Sequence, residues 1–221
     1  MSQPMDLLPD SRWIDISRPL APDTACWPGD VPYTFQLGWK MAEGVSVNVG
    51  SITTSVHTAT HCDAPYHFLR EGMTVDQIPV EVFLGEAWVI DVRDCLTDWS
   101  QALVNLPDQV PRVLFHTGGW PDTRVFPTSI PIMQPGVINW MKERRVRLAG
   151  FDLPSVDQLD SKALPFHHAL CQAGITIVEG LWLNDMPPGR RHYLIAAPLK
   201  LLGTDGAPLR ALLMPLKEGE Y

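Results

Sequence analysis

The segment His57-Thr-Ala-Thr-His61-Cys-Asp63-Ala-Pro65-Tyr-His67 places three of the chain's seven histidines beside a carboxylate. In extended backbone, successive side chains alternate faces, so residues of one parity share a face. His57, His61 and Asp63 are then expected on one side, with the small Ala59 leaving room between them. A helix would also align His57 with His61, but it would swing Asp63 away, and Pro65 would oppose it. The preceding run 45–56 is rich in β-branched residues and reads as strand. The cluster is therefore expected on the end of that strand, running into a turn at Ala64-Pro65. Imidazole nitrogen with carboxylate oxygen suits zinc, manganese or iron better than calcium or magnesium. The spacing is not that of the helical His-Glu-x-x-His motif, because Thr, Ala and Thr separate His57 from His61.

Composition narrows the function classes. The 221 residues contain no linker, low-complexity segment or repeat, so a single domain spanning 1–221 is expected. A formal net charge of −8 leaves no basic face for nucleic acid. No apolar run approaches membrane-spanning length, and Met1–Asp6 lacks the pattern of a signal peptide, so no membrane partner is expected. Cys26, Cys62, Cys95 and Cys171 are widely spaced with no C-x-x-C. That fits reduced thiols in a cytoplasm. Cys62 has even parity and should point away from the metal face. The 21 prolines predict many turns between short strands.

Along the chain, 13–17, 33–41, 87–92, 112–117, 146–151, 193–203 and 209–215 read as strands. The segment 33–41 is expected to pair with 45–56 across Ala42–Gly44. Gln134–Arg145 is the best helix, with Pro135 near its start. The pattern predicts an α/β chain, strand-rich with few helices. Trp27 lies on a Pro-Gly turn, either as a lid on the core or as an aromatic wall for a planar substrate. His116 and Thr117, at a strand end before two glycines, are candidates to border a cavity, with His116 read as structural. Pro165 can open a short helix that Gly174 caps. After it, Ile175, Ile177, Glu179 and Leu181 share a strand face. A carboxylate among such neighbours needs a cation or a proton, which makes Glu179 a candidate metal ligand. Periodicity does not choose between His167 and His168.

His57-x-x-x-His61-x-Asp63-x-Pro65-x-His67 resembles the His-x-Gly-Thr-His-x-Asp-x-Pro-x-His signature of the cyclase family of metal-dependent hydrolases. Ala59 stands where the commoner pattern has glycine. The resemblance extends over Trp13–Ser17, Trp27–Asp30, Asp152–Asp157, the His167 to Glu179 segment and Pro198–Leu201. Within the family it is greatest to the bacterial kynurenine formamidases (arylformamidases). It implies a swivelling β/β/α fold, commonly a homodimer, with two divalent ions per chain, zinc or else manganese. By matching position, His57, His61 and Asp63 would bind one ion. Asp63 and Glu179 would bridge to a second, completed by His167, because Leu170 and Glu179 fall at the family spacing from it. Cys171 stands where leucine is usual. His67 matches the proton-transferring residue and Trp27 a substrate contact. The implied reaction is hydrolysis of an aromatic formamide by a metal-bound hydroxide, releasing kynurenine and formate. A related family hydrolase acting on a cyclic amide such as isatin shares the same metal signature, and a non-catalytic metal-stabilised protein is a further alternative. Arg70, Arg190 and Arg191 are candidate partners for a substrate carboxylate.

Overall fold

The computed structural model describes residues 13–42, 44–104, 106–184, 186 and 191–216. Nine strands form one mixed sheet in the order β1-β11-β9-β5-β6-β7-β8-β4-β10. These are β1 (Ile14–Asp15), β4 (His61–Asp63), β5 (Leu84–Asp91), β6 (Arg112–His116), β7 (Leu148–Phe151), β8 (Thr176–Glu179), β9 (Arg191–Ile195), β10 (Gly206–Pro208) and β11 (Leu212–Pro215). β5, β6, β7 and β8 run parallel to one another, and the flanking pairs are antiparallel. The strand-rich α/β expectation holds: only two α-helices occur among the described residues, α1 (Pro135–Glu143) and α2 (Pro165–Gln172).

The parallel strands are buried on both faces, which is why they read as near-continuous apolar runs. In β6, Val113 and Phe115 pack with Val137, Ile138 and Met141 of α1 and Leu170 of α2, while Leu114 faces the opposite layer with Val89, Leu148 and Val178. Each α-helix begins with proline at its first turn, where the missing N–H costs nothing. The expected common face of 175–181 breaks at its end. Ile175 and Ile177 lie in the helix-side layer, but Leu181 joins the opposite layer with Val178. Gly180, at φ +66°, interrupts the alternation between them.

The largest departure concerns the 45–56 run. Its ordered part is β3 (Val49–Thr53), which pairs with β2 (Thr34–Trp39) in a separate two-stranded arm. The hairpin pairing is as expected, although Glu43 of its connection lies outside the described residues. All eleven arm residues are exposed, so β-branched composition here marks a projecting strand and not one buried beneath the cluster.

A candidate metal centre at the junction of β4, β8 and α2

β4 does not continue from β3. Residues 56–60 form a turn, and only His61–Asp63 are extended. The parity argument therefore holds for His61 and Asp63 but not for His57, which arrives through a turn pivoting on Ala59 at φ +58°. This left-handed conformation favours glycine, the residue the family pattern carries there. Gly180 makes the turn fit: a Cβ at that position would stand 1.9 Å from the Ala59 carbonyl oxygen. Thr60 anchors the turn by donating to the Gly180 carbonyl at 2.6 Å and accepting from the Arg18 N–H at 2.7 Å.

Strand register then assembles the cluster. His61 stands directly opposite Glu179, and Asp63 opposite Ile177. Cross-strand partners and residues two apart share a face, so His61, Asp63 and Glu179 converge. All three are buried at 2–3 % exposure. Cys62 points the other way into the apolar core, where burial pushes its thiol up to about 12. From α2, His167 turns inward and is buried; His168 is partly exposed and packs its ring on Phe68 at 5.5 Å.

Asp63 is the hub. Its Oδ1 lies 2.9 Å from His57 Nδ1 and 3.3 Å from His61 Nε2. Its Oδ2 lies 3.5 Å from His167 Nε2, which is itself 3.8 Å from Glu179 Oε1. Glu179 Oε2 is 3.5 Å from His61 Nε2.

Each of the three imidazoles has its other nitrogen occupied. His61 Nδ1 donates to the Ala59 carbonyl at 3.1 Å, leaving Nε2 bare toward the carboxylates. His167 Nδ1 bonds Asp157 Oδ2 at 2.7 Å, and His57 Nε2 bonds Asp205 Oδ2 at 3.0 Å. Partners of this kind orient ligating histidines and raise their basicity. Asp157 is itself held by the backbone N–H groups of Phe166 and His167.

The electrostatics fit a cation. Burial, then the charge of Asp63, pushes Glu179 up to about 7. Burial also opposes ionisation of Asp63, but the facing His167, His57 and His61 hold it well below the usual carboxylate range. Burial pulls His57 and His167 down. The hydrogen bonds and charge of Asp63 and Asp205 nevertheless bring His57 up to about 9. Asp157, Asp63 and Glu179 bring His167 up to about 10. Asp63 Oδ2 is buried and has no hydrogen-bond partner among the described residues. Nitrogen and oxygen donors aimed inward around such an atom suit a divalent transition metal.

His67 sits on a one-turn 3-10 helix, Pro65–His67, beside the cluster. Its ring lies 4.0 Å from that of His57, and its Nδ1 is 3.5 Å from Asp205 Oδ2. A third of its side chain is exposed, and burial of the rest lowers its pKa. His57, Asp63 and His67 each offer a ligand atom within 4.8 Å of the others, as do His61, Asp63 and Glu179.

Above these groups opens a cavity of about 420 Å³, lined by the four histidines 57, 61, 67 and 167 with Glu179, and walled by Trp27, Asp30, Gln158 and Leu164. That size is ordinary for a small-molecule site. Trp27 is 37 % exposed, and its ring is braced edge-on by Phe126 at 5.3 Å. His116 and Thr117 do not line the cavity: His116 bonds Asn184, and Thr117 bonds Asp152. Neither Arg70 nor Arg191 lines it, and Arg190 lies outside the described residues.

Sequence reasoning missed Asp157 and Asp205. Asp157 stood within a stretch of family likeness and one helical cap away from His167, a local signal that could have found it. Asp205 is 148 positions from its partner His57, and no local pattern links them.

Comparison with known proteins agrees with this geometry. The Cyclase family model matches residues 14–158. A kynurenine formamidase of Bacillus cereus is 42 % identical over 207 residues, covering 93 % of this chain and 99 % of its own. A solved structure described as a "Potential Metal-Dependent Hydrolase With Cyclase Activity" superposes with a TM-score of 0.78 at 27 % identity, covering 93 % of this chain and 98 % of that one. Isatin hydrolase A from Labrenzia aggregata superposes at 0.76 with 26 % identity, covering 93 % and 94 %. The sheet order, the carboxylate hub and these likenesses together show that the chain belongs to the cyclase family.

Proposed function

We propose that this chain hydrolyses N-formyl-L-kynurenine to L-kynurenine and formate, as an arylformamidase with two divalent ions, zinc or else manganese. The observation that carries the reading is the division of contacts at Asp63. One oxygen faces His57 and His61, and the other faces His167 beside Glu179. Ligand atoms sharing a tetrahedral metal at about 2.0–2.1 Å stand roughly 3.3 Å apart. The 2.9 and 3.3 Å separations at Oδ1 and 3.5 Å at Oδ2 are of that order. His57, His61 and Asp63 would hold one ion, and Asp63, His167 and Glu179 the other.

Metals so held would acidify a bound water and polarise the formyl oxygen. The rest falls to side chains. Trp27 presents its indole face to the aniline ring and sets it over the histidines. With His67 Nδ1 toward Asp205, Nε2 is left to take the proton of the attacking water and deliver it to the departing aniline nitrogen. A lowered pKa suits that role, because it keeps His67 unprotonated near neutrality. Water adds to the formyl carbon, the C–N bond breaks, and formate and the arylamine leave.

The same reading takes 1–221 as one domain, in the cytoplasm and as a homodimer. Support for the cytoplasm is the four free thiols, and no helix among the described residues is long and apolar enough to cross a membrane. Support for a dimer is the exposed apolar arm, with Phe35, Leu37 and Ile52 at 52, 37 and 58 % exposure. Phe35 lies over Gly50, yet these three side chains remain more than a third exposed.

The test is turnover of N-formylkynurenine against isatin by metal-analysed protein. Formamide hydrolysis that chelation abolishes and metal restores is expected. Preferential opening of isatin would move the chain to the cyclic-amide branch. A chelator that lowers only the melting temperature of an inactive protein would make the metals structural.

A further inference from the structure

We propose that the cavity selects aryl formamides by a positive charge on the side chain, read by Asp30, and that amine-bearing formylanilines lacking the carboxylate are therefore substrates too. This rests on the formamidase reading of the same site.

Trp27-Pro28-Gly29-Asp30 is a tight turn in which the Asp30 N–H donates to the Trp27 carbonyl at 3.0 Å. Proline at the second position and Gly29 at φ +89° at the third are the chemistry of a type II turn. The turn fixes an indole and a carboxylate side by side on one wall of the cavity. Asp30 Oδ1 accepts from the Val31 N–H at 2.7 Å; its carboxylate has no ion pair among the described residues. The floor groups His61, His167 and Glu179 are 2–3 % exposed, whereas Trp27 and Asp30 stand at the exposed rim. A formamide reacting at the floor must send the substituent of its ring back toward that rim.

Among the described residues no lysine or arginine lines the cavity, and Asp30 is the only carboxylate at its rim. The opposite wall offers the neutral Gln158 and Ser161, the latter with its Oγ accepting from the Leu164 N–H at 3.2 Å. At that rim a substrate ammonium therefore meets a charge, while among the described residues a substrate carboxylate meets there only neutral groups and a repelling aspartate. An ion pair at an open rim is screened, so the discrimination expected is about five-fold.

The experiment measures kcat/KM for N-formylkynurenine, its decarboxylated analogue N-formylkynuramine, and formanilide, in the metal-loaded wild type and in Asp30→Asn. The asparagine retains the oxygen that accepts from Val31. The wild type is expected to turn over N-formylkynuramine at least as efficiently as N-formylkynurenine. In Asp30→Asn the preference for either amine-bearing substrate over formanilide should fall about five-fold, and added salt should lower the same preference in the wild type. An unchanged preference in Asp30→Asn, or rejection of the decarboxylated amine by the wild type, would overturn the inference. Loss of this discrimination with formamides still hydrolysed leaves the formamidase reading standing; hydrolysis of none of the three removes both.

Discussion

The candidate metal centre and the β2–β3 arm invert the usual relation between polarity and burial. β4 and the end of β8 carry His61, Asp63 and Glu179, all buried, whereas the arm carries Phe35, Trp39 and Ile52, all exposed. In the centre, polar groups tolerate burial because strand register and the carboxylates of Asp157 and Asp205 face each imidazole with a partner. In the arm, apolar groups stand exposed side by side, and contiguous exposed apolar surface of this kind marks an interaction face. The proposed function completes the first region with cations held by the chain's own side chains, and the second with a partner copy.

The largest effect is expected at His61. His61→Ala should empty the centre, with metal content and formamide hydrolysis lost together, because ligands hold metal and metal favours the folded state. His67→Ala should keep its metals, measured by elemental analysis, and turn over substrate about a hundred-fold or more slowly. Loss of a metal from His67→Ala would make His67 a ligand, as its place near His57 and Asp63 permits, and would shift proton transfer elsewhere.

Asp157→Asn sharpens what completion from within means. It leaves His167 itself in place and removes the charge of the carboxylate that meets its Nδ1 and accepts from the N–H groups of Phe166 and His167. Metal affinity at that site should fall roughly ten- to a hundred-fold by competition with a chromogenic chelator. An unchanged affinity would show that helix α2 alone orients His167.

In the arm, Leu37→Asp with Ile52→Asp should convert a dimer to a monomer in light scattering while the metal content per chain stays the same. A wild type that is already monomeric at micromolar concentration would leave the arm without its proposed partner. The smallest effect is expected at Ala59→Gly. Relief of the left-handed conformation should stabilise the protein by about 0.5–1 kcal/mol, read as a small rise in denaturation midpoint. A fall instead would mean that the Ala59 methyl contributes more by packing than it costs in backbone strain.

Much of this was legible in the residues themselves. The donor types, their crowding between 57 and 67, the buried Glu179 after two isoleucines and the helix opened by Pro165 are local facts, and local periodicity reports them. His57 comes beside Asp63 for a reason that phase does not supply, a turn through a left-handed alanine. The 45–56 run misled because β-branched composition signals an extended chain without saying what lies on either side of it.

The sequence by itself determined which groups the chain carries: nitrogen and oxygen donors crowded between 57 and 67, a tryptophan on a Pro-Gly turn, a family pattern and a strand-rich frame. The tertiary structure alone decided how those groups divide. It set His61 opposite Glu179, turned His167 in and His168 out, gave Asp63 one oxygen for each side, and carried Asp205 across 148 positions to His57. Pairings of that kind are fixed by strand register and by which helix face meets the core, and both are set by burial over the whole chain, beyond the reach of any local repeat.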